Sequence, residues 1–151
     1  MELDVFEQRL VGGQDADEVA TLPWERRVRS RQRVQLDGRG EALLALPRGM
    51  VLRGGDMLTG AHGRRLRIVA AEETVSTAHA SDAEGLLRAA YHLGNRHVAV
   101  QIGATWLRYL HDHVLDDMLR GLGLHVVTGQ APFEPEAGAY AAGHGHGHGH
   151  D

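Results

Sequence analysis

The sequence contains no cysteine and no lysine. Without thiolates, any metal site has to use nitrogen or oxygen ligands. The 16 basic residues are all arginine, and 20 acidic residues bring the formal net charge to −4, without the cationic excess typical of nucleic-acid binding. No apolar run approaches the roughly 18–20 residues of a membrane span, and the first residues lack a signal-peptide pattern. We therefore expect a cytoplasmic protein with neither nucleic-acid nor membrane partners.

The first half of the chain, residues 1–71, consists of short runs separated by glycine and proline. Residues 28–36 alternate in polarity, residues 37–40 have the composition of a turn, and residues 41–46 are apolar, which predicts a hairpin. Residues 65–70 alternate again as a last strand. This half is predicted to be a small all-β domain. One strand face could dock an acidic partner or simply face solvent; it carries Arg29, Arg31 and Arg33.

The second half, residues 72–130, mixes strand and helix patterns. Ser81 and Glu84 have the spacing of a capping box, and Gly94 is predicted to end the helix that follows. The predicted elements are a strand over 71–80, a helix over 82–93, strands over 97–102 and 106–110, a helix ending near 122, and a strand over 124–128. The order β-α-β-β-α-β is that of the ferredoxin-like fold. The fold class is therefore α+β, with two domains.

The last segment, residues 131–151, is too poor in large apolar residues to fold and is predicted to be disordered. Its glycines alternate with four imidazoles, and neutral imidazole is a common ligand of nickel, copper and zinc. We interpret it as a mobile metal-binding tail. The alternative is a purification tag, although such tags are usually unbroken histidine runs. The histidines of the tail are His144, His146, His148 and His150.

Other histidines are candidate ligands as well. In an extended chain His111 and His113 project from the same face, close enough to share one ion. If Asp112 caps the following helix, the helix dipole disfavours imidazolium at His113 and favours a neutral ligand. The alternative is two exposed histidines at a strand–helix corner. Taken alone, His97 is more typical of a structural or exposed residue. The remaining histidines are interpreted as structural or surface residues: His62, His79, His92 and His125.

No catalytic motif accompanies these candidate ligands. The sequence has no His-Glu-x-x-His helix, no Walker loop and no Gly-x-Ser-x-Gly elbow. A His-x-His pair also occurs in metal-dependent hydrolases built on barrels of about 250 residues, for which this chain is too short. We therefore expect a protein that is not an enzyme.

Four segments resemble one known family. They are Leu-Pro-Trp-Glu at 22–25, Leu-Pro-Arg-Gly at 46–49, Tyr-His-Leu-Gly-Asn-Arg-His at 91–97, and the stretch 107–123 that contains Asp-His-Val-Leu-Asp-Asp-Met-Leu. The chain resembles the UreE family, the nickel metallochaperones among the urease accessory proteins, from about residue 1 to 130. A histidine-rich tail of variable form is typical of that family.

The resemblance implies a peptide-binding-like N-terminal domain and a ferredoxin-like domain that joins a homodimer. It implies that His97 lies at the dimer interface, where two copies share one nickel ion. His111 and His113 correspond to a second, peripheral site of some members, and tail histidines can complete the shared site. Copper or zinc can bind the same imidazoles.

The implied partners are the urease accessory GTPase and, through it, the apo-urease accessory complex. The implied function is nickel delivery for assembly of the urease active site. The alternative function is a general metal store or buffer that acts mainly through its tail.

Overall fold

A computed structural model describes residues 2–12 and 15–138. The chain divides into two compact units, of which the first contains the residues up to Ala71 and the second spans Glu72–Glu136. Of the predicted disordered tail, residues 139–151 with their four histidines lie outside the described residues. Within the described ranges, no helix is long and apolar enough to cross a membrane.

The first unit contains two small sheets. Its elements are β1 (Val5–Phe6), β2 (Gln8–Leu10), β3 (Glu18–Leu22), α1 (Trp24–Arg27), β4 (Arg31–Gln35), β5 (Glu41–Ala45), β6 (Met57–Thr59) and β7 (Arg65–Ala70). One sheet has the order β1-β5-β4 and the other β2-β6-β7-β3. Both sheets contribute to one apolar core, which includes Phe6, Leu44, Leu58 and Ile68.

The predicted hairpin is confirmed, because β4 and β5 pair antiparallel across the 37–40 turn. The strand is shorter than its polarity pattern predicts. It begins at Arg31 rather than at residue 28 and ends at Gln35 rather than at residue 36. Ahead of it, residues 24–27 form the short helix α1, with Pro23 as its N-cap. Arg27, at the end of this helix, is fully buried. Its Nε donates to the Leu22 carbonyl at 3.0 Å and its Nη1 to the Leu52 carbonyl at 3.3 Å.

The second unit has the predicted ferredoxin-like fold. Its elements are β8 (Glu72–His79), α2 (Ala83–Asn95), β9 (Gln101–Ile102), β10 (Trp106–Leu110), α3 (His113–Gly121) and β11 (His125–Pro132). The sheet order is β11-β8-β10-β9 and every neighbouring pair is antiparallel. Side chains from α2 and α3 share one core with the sheet, including Leu93, Leu107, Leu119 and Val126.

The ends of α2 differ from the prediction. The N-cap is Asp82 rather than Ser81, since the Asp82 carboxylate accepts from the Gly85 amide at 2.7 Å. At the other end α2 continues past Gly94 to Asn95, and the left-handed residue after the helix is His97, at φ 59°. The predicted strand over 97–102 is therefore reduced to β9, because the first of these residues close the helix.

The folded chain also extends further than composition predicts. Strand β11 pairs with β8 as far as Pro132, and Phe133 is fully buried. The Glu134 amide donates to the Gln101 side chain at 2.9 Å, and the Glu136 amide donates to the Val100 carbonyl at 2.8 Å. These two hydrogen bonds join a polar, proline-containing segment to residues 100 and 101 of the second unit.

Candidate metal-binding histidines

His97 closes helix α2. Its amide donates to the Gly94 carbonyl at 3.0 Å, and the Val98 amide donates to the Leu93 carbonyl at 3.2 Å. These two bonds and the left-handed backbone of His97 form a Schellman motif. Val98 packs against the core that contains Leu93, which is the apolar contact that usually accompanies the motif. The backbone of His97 is therefore fixed while its side chain is exposed.

The left-handed conformation of His97 is unfavourable for a residue with a side chain. Among the described residues it is the one non-glycine residue with positive φ. Glycine adopts this conformation without steric cost and is the usual residue at this position of the motif, whereas other residues lose roughly 1–2 kcal/mol. Such outliers cluster at functional sites, where the side chain has a use that outweighs the cost. This backbone supports a functional role for the exposed imidazole.

His111 follows β10 and is oriented by buried neighbours. Its Nδ1 lies 3.2 Å from Oδ2 of Asp116 and 3.0 Å from Oγ of Ser76. Ser76 is fully buried, and the Asp116 side chain is 3% exposed, against 39% for that of His111. A carboxylate beside Nδ1 favours the tautomer with the proton on Nδ1, which leaves the Nε2 lone pair available. Ligating histidines in metalloproteins are commonly held by such a carboxylate.

Asp116 is itself held by Tyr109, whose hydroxyl donates to Oδ1 at 2.7 Å. Burial raises the pKa of Tyr109 above its usual range, and the hydrogen bond to Asp116 and the charge of Asp116 raise it further. Tyr109 is fully buried on β10. The side chains of Tyr109, Asp116 and His111 thus form a chain of polar contacts from the core to the surface.

His113 is the first residue of α3 and is exposed. Asp112 is the N-cap of α3, and its carboxylate accepts from the amides of Val114 and Leu115 at 2.9 and 3.3 Å. The Nδ1 of His111 contacts Asp116, which lies on the same helix as His113. Within residues 2–12 and 15–138, no three His, Asp or Glu side chains come together as a ready-made metal site. The described histidines therefore offer one or two ligands at each location.

An open cleft of about 280 Å³ is lined both by residues that follow α2 and by residues of the β10–α3 corner. Val98 and Ala99, which follow His97, line it together with Leu110, His111, Asp112 and Leu115. The fold thus brings the end of α2 and the β10–α3 corner to the two sides of one cleft, although fourteen positions separate His97 from His111 in the sequence.

Sequence reasoning missed Asp116 and Tyr109. Asp116 lies on α3 between Leu115 and Leu119, which are both buried. The spacing of the apolar residues in the sequence therefore already indicated that Asp116 lies on the buried face of the helix. Tyr109 lies on β10 between one half-buried and one exposed residue. The alternation of side chains along this strand already predicts that Tyr109 is buried. A buried acid five residues after a histidine, at the start of a helix, is the pattern that would have found this network.

By its fold, this chain is a two-unit α+β protein that carries exposed histidines on a ferredoxin-like unit. Family models for the UreE urease accessory protein match this chain, the N-terminal domain at residues 9–71 and the C-terminal domain at residues 73–151. The chain belongs to the UreE urease accessory protein family. This membership is consistent with a role in urease maturation.

Several relatives named urease accessory protein UreE are similar over most of their length. A protein from Alkalilimnicola ehrlichii is 57% identical over 133 residues, covering 88% of this chain and 82% of the relative. One from Pseudomonas putida W619 is 61% identical over 121 residues, with 80% and 75% coverage. One from Enterobacter sp. 638 is 51% identical over 136 residues, with 89% and 90% coverage.

Proposed function

We propose that this protein is a non-catalytic, dimeric nickel carrier that delivers Ni²⁺ to the urease maturation machinery. The observation that carries the proposal is the left-handed backbone of the exposed His97. A purely structural C-cap would favour glycine at this position, so the histidine is best explained by a use for its imidazole. Nickel is cargo here rather than a resident cofactor.

The shared ion requires two copies of His97, and the surface of α2 supports such an interface. Leu87 and Tyr91 are one helical turn apart, so they share a face of α2. They are 70% and 67% exposed, which is unusual for two large apolar residues side by side. Burying this face against a second copy removes apolar surface from water. The same helix ends next to His97, so we place the shared ion at the edge of that interface.

Two imidazoles leave most positions of an octahedral nickel ion open, so the shared site is weak and exchangeable by itself. We propose that tail histidines complete the coordination. A tethered ligand acts at an effective concentration around millimolar, which strengthens binding without a rigid cage. A carrier needs enough affinity to load the ion and enough lability to release it.

His111 is proposed as a second, peripheral ligand through its Nε2 atom, and His113 as its partner on α3. The support for His111 is the contact between its Nδ1 and Asp116, which fixes the ring. For His113 it is the exposed position in the first turn of α3. Copper and zinc can occupy the same imidazoles, and copper binds such ligands more tightly than nickel. Selectivity for nickel therefore has to come from metal supply and from partner docking.

The proposed partners are a second copy of this chain, the urease accessory GTPase and, through it, the apo-urease accessory complex. We place the protein in the cytoplasm. These assignments rest on membership of the urease accessory family and on the metal-carrier proposal itself.

A second candidate function is metal storage or buffering through the tail. It is favoured by the four histidines of the tail and by the lack of any three-ligand group among the described residues. Truncation after Ala142 separates the two functions. With His111→Ala and His113→Ala added to remove the peripheral site, the truncated protein should retain about one Ni²⁺ per dimer in equilibrium dialysis if the protein is a carrier. Retention of essentially none would favour storage and contradict the carrier proposal.

A further inference from the structure

His79 and His125 form a pair on the sheet of the second unit. His79 is the last residue of β8 and His125 the first of β11, and the two are direct partners in the antiparallel ladder. Directly opposed residues project their side chains from the same face of a sheet. Both histidines are exposed, and their ring centroids lie 6.4 Å apart with the ring planes tilted by 39°. This replaces their interpretation as isolated structural residues.

The spacing of the two rings suits a single bridging ion. With metal–nitrogen distances of about 2.0–2.1 Å, two imidazoles on one ion have ring centroids about 4.5–6.5 Å apart, depending on the angle at the metal. The observed 6.4 Å lies at the upper end of this range. Small side-chain rotations at two exposed positions are enough to close the remaining difference.

The rings of this pair also differ in their contacts from the rings of His62 and His111. At His62, Nε2 lies 2.9 Å from the Val5 carbonyl and Nδ1 accepts from the Arg64 amide, so both nitrogens are occupied. At His111, Nδ1 contacts Asp116. His79 and His125, in contrast, make a ring contact with each other.

We propose that His79 and His125 form a bis-imidazole site for a borderline divalent cation, with copper(II) bound more tightly than nickel(II) or zinc(II). The site lies on the sheet, outside the cleft that His111 lines, and does not depend on the nickel-carrier function. Two protein ligands leave the other positions to water, so the ion exchanges readily. Arg108 lies on the same face, where its Cζ atom is 4.6 Å from the Trp106 ring centroid and its Nε donates to Thr77. Its charge opposes cation binding and keeps the affinity moderate.

Trp106 supplies a local probe. It is the ladder partner of His79 on the side opposite His125, so the three residues form one row across β10, β8 and β11. The chain contains two tryptophans, and the other, Trp24, lies in the first unit. Copper(II) bound by the pair should quench Trp106, because directly opposed side chains lie only about 4.5–5.5 Å apart at Cβ.

The test uses the full-length chain with its other candidate ligands removed. The background carries His97→Gly, which suits the left-handed backbone, and alanine in place of His111, His113, His144, His146, His148 and His150. Copper(II) alone is titrated while tryptophan fluorescence and heat of binding are measured. We expect saturation at one ion per chain, with quenching that Trp106→Phe removes although the ion still binds.

In that background His79→Ala and His125→Ala should each weaken copper binding by at least about tenfold, because chelation by a second tethered ligand is lost. His92→Ala is the matched control, an exposed histidine on α2, and should change the affinity less than twofold. Equal copper affinity in the background and in both pair variants would overturn the proposal.

A second measurement avoids the heavily substituted background. In the otherwise natural chain, the double variant His79→Ala/His125→Ala should bind one copper(II) fewer per chain at saturation, counted by equilibrium dialysis. An unchanged count would overturn the proposal. Because neither arm scores nickel at His97, failure here and failure of the carrier function are distinguishable.

Discussion

The Nδ1 atom of His111 lies 3.2 Å from a carboxylate oxygen of Asp116, a side chain that is almost completely buried. The other oxygen of that carboxylate accepts a hydrogen bond from Tyr109. The imidazole is therefore oriented from inside the second unit, and its Nε2 atom is the nitrogen left to bind a metal ion.

Asp116→Asn should weaken copper(II) or nickel(II) binding at His111 by roughly 10–100-fold, because the orienting carboxylate is lost. The measurement is a metal titration of the protein truncated after Ala142 and carrying His97→Gly and His79→Ala, so that the shared site and the pair of His79 and His125 are both removed. Asp117→Asn is the matched control, since the neighbouring Asp117 side chain is 74% exposed. Equal affinity in the Asp116 and Asp117 variants would show that the contact does not position a ligand.

Tyr109 should make the fold sensitive to alkali. Its folded-state pKa is raised by burial and by Asp116, whereas an unfolded tyrosine ionises near pH 10. Above about pH 10 the unfolded chain therefore binds fewer protons than the folded one, and stability falls as pH rises. Tyr109→Phe should be less stable at neutral pH and should lose less stability between about pH 9 and 11. Parallel slopes of unfolding free energy against pH in the two proteins would contradict this account.

Arg27 should be a stability residue of the first unit. Arg27→Met should cost about 2–4 kcal/mol, because the buried carbonyls of Leu22 and Leu52 lose a charged donor. Urea unfolding followed by circular dichroism measures the change. Arg29→Met, at an exposed position, should change stability by less than about 0.5 kcal/mol. A loss of similar size in both variants would remove the special role of Arg27.

Leu87→Glu should shift the protein from dimer to monomer, because it places a charge on the apolar face of α2 that we assign to the interface. Arg88→Glu is the matched control at the next position, which forms an exposed ion pair with Glu84. Sedimentation velocity at several concentrations gives the dimer fraction. Dimers of equal strength in both variants would place the interface elsewhere.

The ferredoxin-like unit could be predicted because its elements are long enough to show periodicity. The alternation of Trp106–Leu110 and the apolar spacing of α3 each identify an element without help from the rest of the chain. For the first unit, the sequence predicted only that the domain is small and all-β. Strands such as Val5–Phe6 and Gln8–Leu10 are too short to show a period, and they depend on pairing with distant strands.

The geometry of the candidate sites was the least predictable part. Gly94 is a stronger local signal for a helix end than His97, yet the core position of Leu93 and Val98 sets the cap three residues later. The pair of His79 and His125 arises from a strand register between residues 46 positions apart. Sequence spacing alone contains neither relationship, because the first depends on how α2 packs on the sheet and the second on how β11 pairs with β8.

The central claim is that His97 is a metal ligand rather than a structural cap, and His97→Gly tests it most directly. Glycine suits the left-handed backbone, so unfolding free energy should stay equal or rise by up to about 1 kcal/mol. In the protein truncated after Ala142 and carrying His79→Ala, His111→Ala and His113→Ala, which removes the other proposed sites, equilibrium dialysis should show the loss of the one Ni²⁺ per dimer. The exposed control His92→Ala in the same protein should retain it. Retention of that ion in His97→Gly would contradict the account.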